Sequence, residues 1–382
     1  MHPPPVDDLT AKGSQGGALT PLPDATEELR QVPMSIARTA AALVVTFAVG
    51  CAGGYAAKLL HFPLPYMTGA LLATAAIGLA GAPMRSLWQT RTAGQFVTGA
   101  AIGTSFTPAL LGHLVLLLPV LIVTSALSIV IAGVGALMLM RMANLDRKTA
   151  FLATLPGGVI EMANVAARLD ADPLPVMVLQ TMRVGITVCL APFLAILIAS
   201  DGTRHEVPVE AVMPWLDIVW LTGVALVCGL ALNLFKVVNC WFFGSIAAVV
   251  LLNAFGMIEG RVPEAVLIVA QVVIGTSIGS RFRHAFLTRL SPLLLASFVT
   301  VPYAIGAMAL VGAVSALALG LPVATMFLAF APAGIAEMAL TGNVLGLDAA
   351  LITGAQLCRV LMVAVSASYA CRMFERLTTP RA

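Results

Sequence analysis

An all-α polytopic membrane protein, written as two repeats offset by 176 residues, is the fold that this sequence predicts, and three observations predict it. Of its 382 residues 59% are hydrophobic and only 10% charged, against about 25% charged in a soluble domain. Apolar stretches of roughly 17–25 residues, the length that crosses a bilayer, recur from Ile36 almost to the end. They do not alternate polar with apolar, as the strands of a transmembrane barrel must. Finally, "GQFVTGAAIGTSF" (94–106) lies over "AQVVIGTSIGSRF" (270–282), and "TAFLATLPGGVIEMA" (149–163) lies over "TMFLAFAPAGIAEMA" (325–339). One gapless offset holds over about 90 residues, which marks a duplication.

The elements follow in order. Residues 1–33 are rich in proline, glycine and charge and lack the apolar core of a signal peptide, so they are expected to form a disordered cytoplasmic tail. Repeat 1 covers 34–200, with apolar segments beginning near Ile36, Leu64, Thr92, Leu114, Thr149 and Pro173. A linker, 201–212, is net acidic. Repeat 2 covers 213–376, with segments near Met213, Cys240, Pro263, Pro292, Ala324 and Leu347, before a short tail at 377–382.

Loop charge chooses the topology. Basic residues gather at Arg30/Arg38, Arg85/Arg91, Arg141/Arg147/Lys148, Arg281/Arg283/Arg289 and Arg372/Arg376. Twelve plain crossings would place the Arg281 group outside, against the positive-inside rule. If the fifth segment of each copy enters and returns, both termini and every large basic group lie inside. The expectation is therefore two inverted repeats, each with about five crossings plus one broken segment.

The break carries the chemistry. Pro156-Gly157-Gly158 and Pro332-Ala333-Gly334 interrupt the fifth segments, and Glu161 and Glu337 follow three residues after each second glycine position. Proline removes a helical donor, and glycine admits angles that other residues avoid. Broken backbone inside a membrane is tolerated where protein buries it or where it lines a wet cavity. A helix restarting there would hold its acid in the first turn, at the positive end of its dipole. Gln180 and Arg183 lie one helical turn apart on the next segment, as do Gln356 and Arg359. Each arginine is expected to hold the acid of its own copy through paired hydrogen bonds. Such a pair either clamps two helices or belongs to a midplane site that binds an anion or relays a proton.

The remaining signals are weaker. Gly99-x-x-x-Gly103 and Gly275-x-x-x-Gly279 are small-residue stripes for close helix approach, and Gln95 and Gln271 fall one turn before them. Those glutamines either reach a central cavity or bond a neighbouring helix. Asp172 and Asp348 are placed to cap the sixth segments. The six cysteines lie singly, and no histidine pair has ligand spacing, so neither a metal nor a cofactor is expected.

The paired GGxxEM and AGxxEM motifs, the "LPYMTG" stretch at 64–69 and the duplication together resemble the AbrB family of bacterial membrane proteins over roughly residues 36–376. That name is shared with an unrelated DNA-binding regulator, which a chain of this composition cannot be. The resemblance implies an integral protein of the bacterial inner membrane, with Glu161 and Glu337 as the motif positions. The family also carries the labels of a regulator of gene expression and of an ammonia monooxygenase. The residues offer no metal cluster for the second label, so no enzyme is expected. Two readings of function stand. One is a secondary transporter of a small solute, an anion among the candidates; the other is a membrane sensor or regulator that transports nothing. Expected partners are the lipid bilayer, a solute or coupling ion and, as an open option, further copies in a homo-oligomer, but no nucleic acid.

Overall fold

The computed structural model describes residues 36–379 apart from 107, 200–211, 236, 238, 259 and 285–290. The tails at 1–33 and most of the 201–212 linker lie outside the described residues, as does Arg289. Fourteen helices, and no strand, make up the described chain. In the first half they are α1 (Ile36–Leu59), α2 (Pro65–Leu79), α3 (Trp88–Gly103), α4 (Pro108–Ala143), α5 (Arg147–Thr154), α6 (Val159–Arg168) and α7 (Pro173–Ile198). In the second they are α8 (Trp215–Leu234), α9 (Cys240–Ala254), α10 (Glu264–Gly279), α11 (Ser291–Leu319), α12 (Val323–Phe330), α13 (Ile335–Val344) and α14 (Ala349–Thr378). Six of them, α1, α4, α7, α8, α11 and α14, are long and apolar enough to cross a membrane. The chain is thus an all-α, multi-pass membrane protein.

The broken fifth segments appear as helical hairpins. In the first, α5 and α6 have 8 and 10 residues, or about 12 and 15 Å of helix, each roughly half the bilayer core. The start of α5 meets the end of α6: Lys148 Nζ donates to Leu169 O at 3.3 Å, and the Asp172 N–H donates to Thr149 Oγ1 at 2.9 Å. The segment therefore enters and returns on one side. In the second half, α12 and α13 have the same two lengths.

Two bundles result, and each draws matching helices from both halves. One contains α1–α3 and α8–α10; the other contains α4–α7 and α11–α14, with the two hairpins at its centre. In the first bundle the halves exchange partners, since α3 packs on α9 and α10 packs on α2. The glycine stripes make this possible. Gly99 lies against the Phe242 backbone and Ser245, and Gly103 lies against Val249. Gly275 lies against the Met67 backbone, and Gly279 lies against Thr74 and Leu71. Gly53 and Gly229, likewise 176 residues apart, seat α1 on α2 and α8 on α9. Between the bundles contact is thin and centres on α3 against α13.

Both aspartates cap as expected. The Asp172 carboxylate accepts from the Leu174 N–H and that of Asp348 from the Leu351 N–H, each at 2.9 Å. Asp348→Ala is expected to cost about 1 kcal/mol, read as a lower thermal midpoint of the detergent-solubilised protein.

Candidate functional site

The site is built around two tears in the backbone. Each leaves helix carbonyls without intrahelical partners, in a place where water cannot satisfy them. On α7, Gln180 Nε2 donates to Leu152 O and Leu155 O at 3.0 and 2.8 Å, and Arg183 donates to Leu155 O and Gly157 O, both at 2.9 Å. On α14, Gln356 Nε2 donates to Leu328 O and Ala331 O at 2.8 and 3.1 Å. Arg359 donates to Phe330 O, Ala331 O and Ala333 O at 2.8–3.0 Å, and to Gln356 Oε1. The bonds of the first hairpin thus recur in the second, 176 residues on. A guanidinium suits the task because its fork offers several donors in one plane, and the helix C-terminus supplies partial negative charge.

This corrects the expected pairing of Glu161 with Arg183 and of Glu337 with Arg359. Both arginines are buried, at 5% and 2% exposure. They spend their Nη donors on carbonyls, and neither forms an ion pair with a described residue. The carbonyls win because they are fixed to the tear itself, one helix away, whereas each acid is carried past the tear on the returning arm. The two guanidiniums stand close enough for the charge of Arg359 to act on Arg183. The Nε of each is buried without a partner.

The acids turn back onto their own helices. Each sits in the first turn, three residues after the N-cap glycines Gly158 and Gly334. The Glu161 carboxylate accepts from the Gly158 N–H, half of a capping box. That of Glu337 also folds over its N-cap glycine. Beyond this the halves differ. Glu161 is partly exposed and has no ion pair among the described residues. Glu337 is 1% exposed, and its Oε1 accepts from Arg91 Nη2 of α3 at 3.0 Å, across the gap between the bundles. Arg281, just past α10, lies within electrostatic reach of both.

Among the described residues Gln95 and Gln271 make no side-chain hydrogen bond, and Gln271 is buried with its amide oxygen unpartnered. A cavity of about 20 Å³ lies beside Arg183, lined also by Thr154, Thr300 and Tyr303. That is room for about one water. Among the described residues no three His, Cys, Asp or Glu side chains gather as ligands for a metal.

Sequence reasoning missed Arg91 and Arg281 as site residues and treated them as topology markers. One signal was available: Arg91 lies four residues before Gln95, hence on the same face of α3.

The chain is 28% identical over 344 residues to an uncharacterized protein, YhjN, of Bacillus subtilis (strain 168), covering 83% of this chain and 88% of the relative. The family profile described as "Transition state regulatory protein AbrB" matches residues 66–375. That match takes in both hairpins, both arginine clamps and both acids, and the chain belongs to the AbrB family.

Proposed function

We propose that the chain is a secondary transporter of a small anionic solute, with its site at the two hairpin tears near the bilayer midplane. The observation that carries this reading is the pair Arg183 and Arg359, one from each half, both buried, within electrostatic reach of each other and, among the described residues, with no carboxylate paired to either. Like charges in a low-dielectric interior repel, and an anion between them relieves that repulsion. Paired broken helices in inverted repeats are the usual construction of such a site. The bundle pattern also fits alternating access, because the thinly joined bundles can move past each other while each stays packed. In this reading the protein lies in the bacterial inner membrane with both termini cytoplasmic, and it moves its solute chemically unchanged.

The test is flux into vesicles that contain the purified protein, with labelled small carboxylates and inorganic phosphate as probes. Glu161→Gln and Glu337→Gln are each expected to abolish flux while the protein stays folded and monodisperse. Absent flux of every probe through the wild-type protein would end the transport reading, and normal flux in both variants would remove the two acids from the site.

The family's description speaks of a regulatory protein, and it favours a second reading, a membrane sensor that binds the same anion without carrying it. Removal of residues 1–33 separates the two: a sensor that signals through this segment loses its effect, and a transporter keeps its flux.

A further inference from the structure

We propose that a cavity at the base of the first hairpin binds the phosphate of an anionic phospholipid headgroup, whose acyl chain lies along α14. The cavity has a volume of about 290 Å³. It is lined by Lys148 at the start of α5, Leu169 just past α6, and Cys371, Arg372, Glu375 and Arg376 in the last turns of α14. The space beside Arg183 holds about 20 Å³, whereas this one approaches the smallest ligand sites, about 300 Å³. A site here serves a transporter and a sensor alike.

Its walls carry charge that the docking of hairpin on helix does not require. Lys148 Nζ donates to Leu169 O at 3.3 Å and lies 3.7 Å from Glu375 Oε1. Arg372 and Arg376 are exposed and make neither a hydrogen bond nor an ion pair among the described residues. Asp146, which caps α5, is near enough for its charge to act on Cys371, as those of Lys148, Arg372 and Glu375 do. Among the groups that line the cavity or act on its cysteine, three cations thus face two carboxylates. A phosphodiester brings the one negative charge that balances them. In the register of the duplication Ala324, Ile196, Ala199 and Ser200 stand where Lys148, Arg372, Glu375 and Arg376 do. There α12 packs on α7 as α5 packs on α14, so the fold closes at this place without charge.

The outer face of α14 decides between a lipid and a free ion. With 30 residues the helix is about 45 Å long, against a hydrocarbon core of about 30 Å, so its last turns reach the headgroup layer. Val365, Tyr369, Met373 and Leu377 follow one another at helical spacing and are 51–87% exposed, an apolar stripe open to acyl chains. Arg372 lies one turn past Tyr369, and Arg376 one turn past Met373, so each guanidinium stands beside the stripe. A phospholipid laid along it brings its phosphate to two planar forks that suit phosphate oxygens. Free phosphate makes no use of the stripe. In the topology proposed above this end meets the cytoplasmic leaflet, whose surface is negative because anionic lipids gather there.

The test adds phosphatidylglycerol, phosphatidylcholine or inorganic phosphate to the full chain in detergent. Bound lipid is read by native mass spectrometry and stability as a thermal midpoint. Wild-type protein should retain phosphatidylglycerol over phosphatidylcholine, and its midpoint should rise with it, since the headgroup ties the hairpin to α14. Arg372→Gln combined with Arg376→Gln should weaken that retention roughly tenfold or more, each basic group at a membrane surface contributing about fivefold. Arg38→Gln combined with Arg261→Gln removes the same charge from exposed positions elsewhere and should leave retention unchanged. No preference in wild type, or equal losses in the two double variants, overturns the proposal. Inorganic phosphate that displaces the lipid and by itself raises the midpoint assigns the cavity to the free ion and overturns the lipid. If the Arg372 and Arg376 variant does not fold, phosphatidylglycerol with a photoreactive acyl chain tests the wild type. Label concentrated between Val365 and Leu377 upholds the site, and label spread evenly over the outer helices overturns it.

Discussion

Arg359→Leu is expected to leave little folded protein. The substitution withdraws three donations to the second tear, and of their three acceptors only Ala331 O keeps other donors, from Gln356 and the Ala333 N–H. Phe330 O and Ala333 O are then buried without partners. Each orphaned carbonyl costs about 1–3 kcal/mol in a soluble interior and more where no water can enter. A loss of about 4 kcal/mol on this basis takes up much of a typical stability of about 5–15 kcal/mol. Arg359→Lys should rescue it poorly, because a single ammonium cannot span carbonyls that a planar fork reaches. Arg183→Leu, which withdraws two donations rather than three, should be milder. Yield and monodispersity after detergent extraction, followed by thermal midpoints, give the order. An Arg359→Leu protein as stable as wild type would show that the tear needs no clamp.

Gly275→Ala is the second large effect expected. A methyl group there would press into the main-chain carbonyl of Met67 on α2. Backbone cannot swing aside as a side-chain tip can, so α2 and α10 must part along their length. Overpacking of this kind costs about 3 kcal/mol, and in this molecule it also separates the two halves. Gly306→Ala is the matched control: on α11 a methyl group meets nothing within 4 Å, and the change should be neutral or slightly stabilising. Equal midpoints for the two variants would mean that the close approach is not what holds the first bundle together.

The hairpins were legible because their cause is local. Proline and glycine act on their own backbone, and basic loops record which side each turn occupies. The pairing of Gln180 with Arg183 and of Gln356 with Arg359 on one face was legible for the same reason, since helical spacing alone sets it. The partners of those arginines were not. Every residue carries a carbonyl, so an acceptor of that kind leaves no mark in the sequence, whereas Glu161 and Glu337 were conspicuous and drew the assignment. Arg91 meets Glu337 across 246 residues of chain, and nothing in either neighbourhood names the other. The glycine stripes announced a close approach without saying to what. That α3 would reach into the second half, and α10 into the first, depended on a tertiary arrangement that two similar stripes leave open.

That exchange of partners bears on how the molecule is made. When α3 first enters the bilayer, the helix meant for its small-residue face has not yet left the ribosome, because α9 begins only at Cys240. The first half must wait among lipids with Gly99 and Gly103 uncovered until the second arrives. Neither half can mature by itself, and two separately expressed halves should survive proteolysis only when made in the same cell.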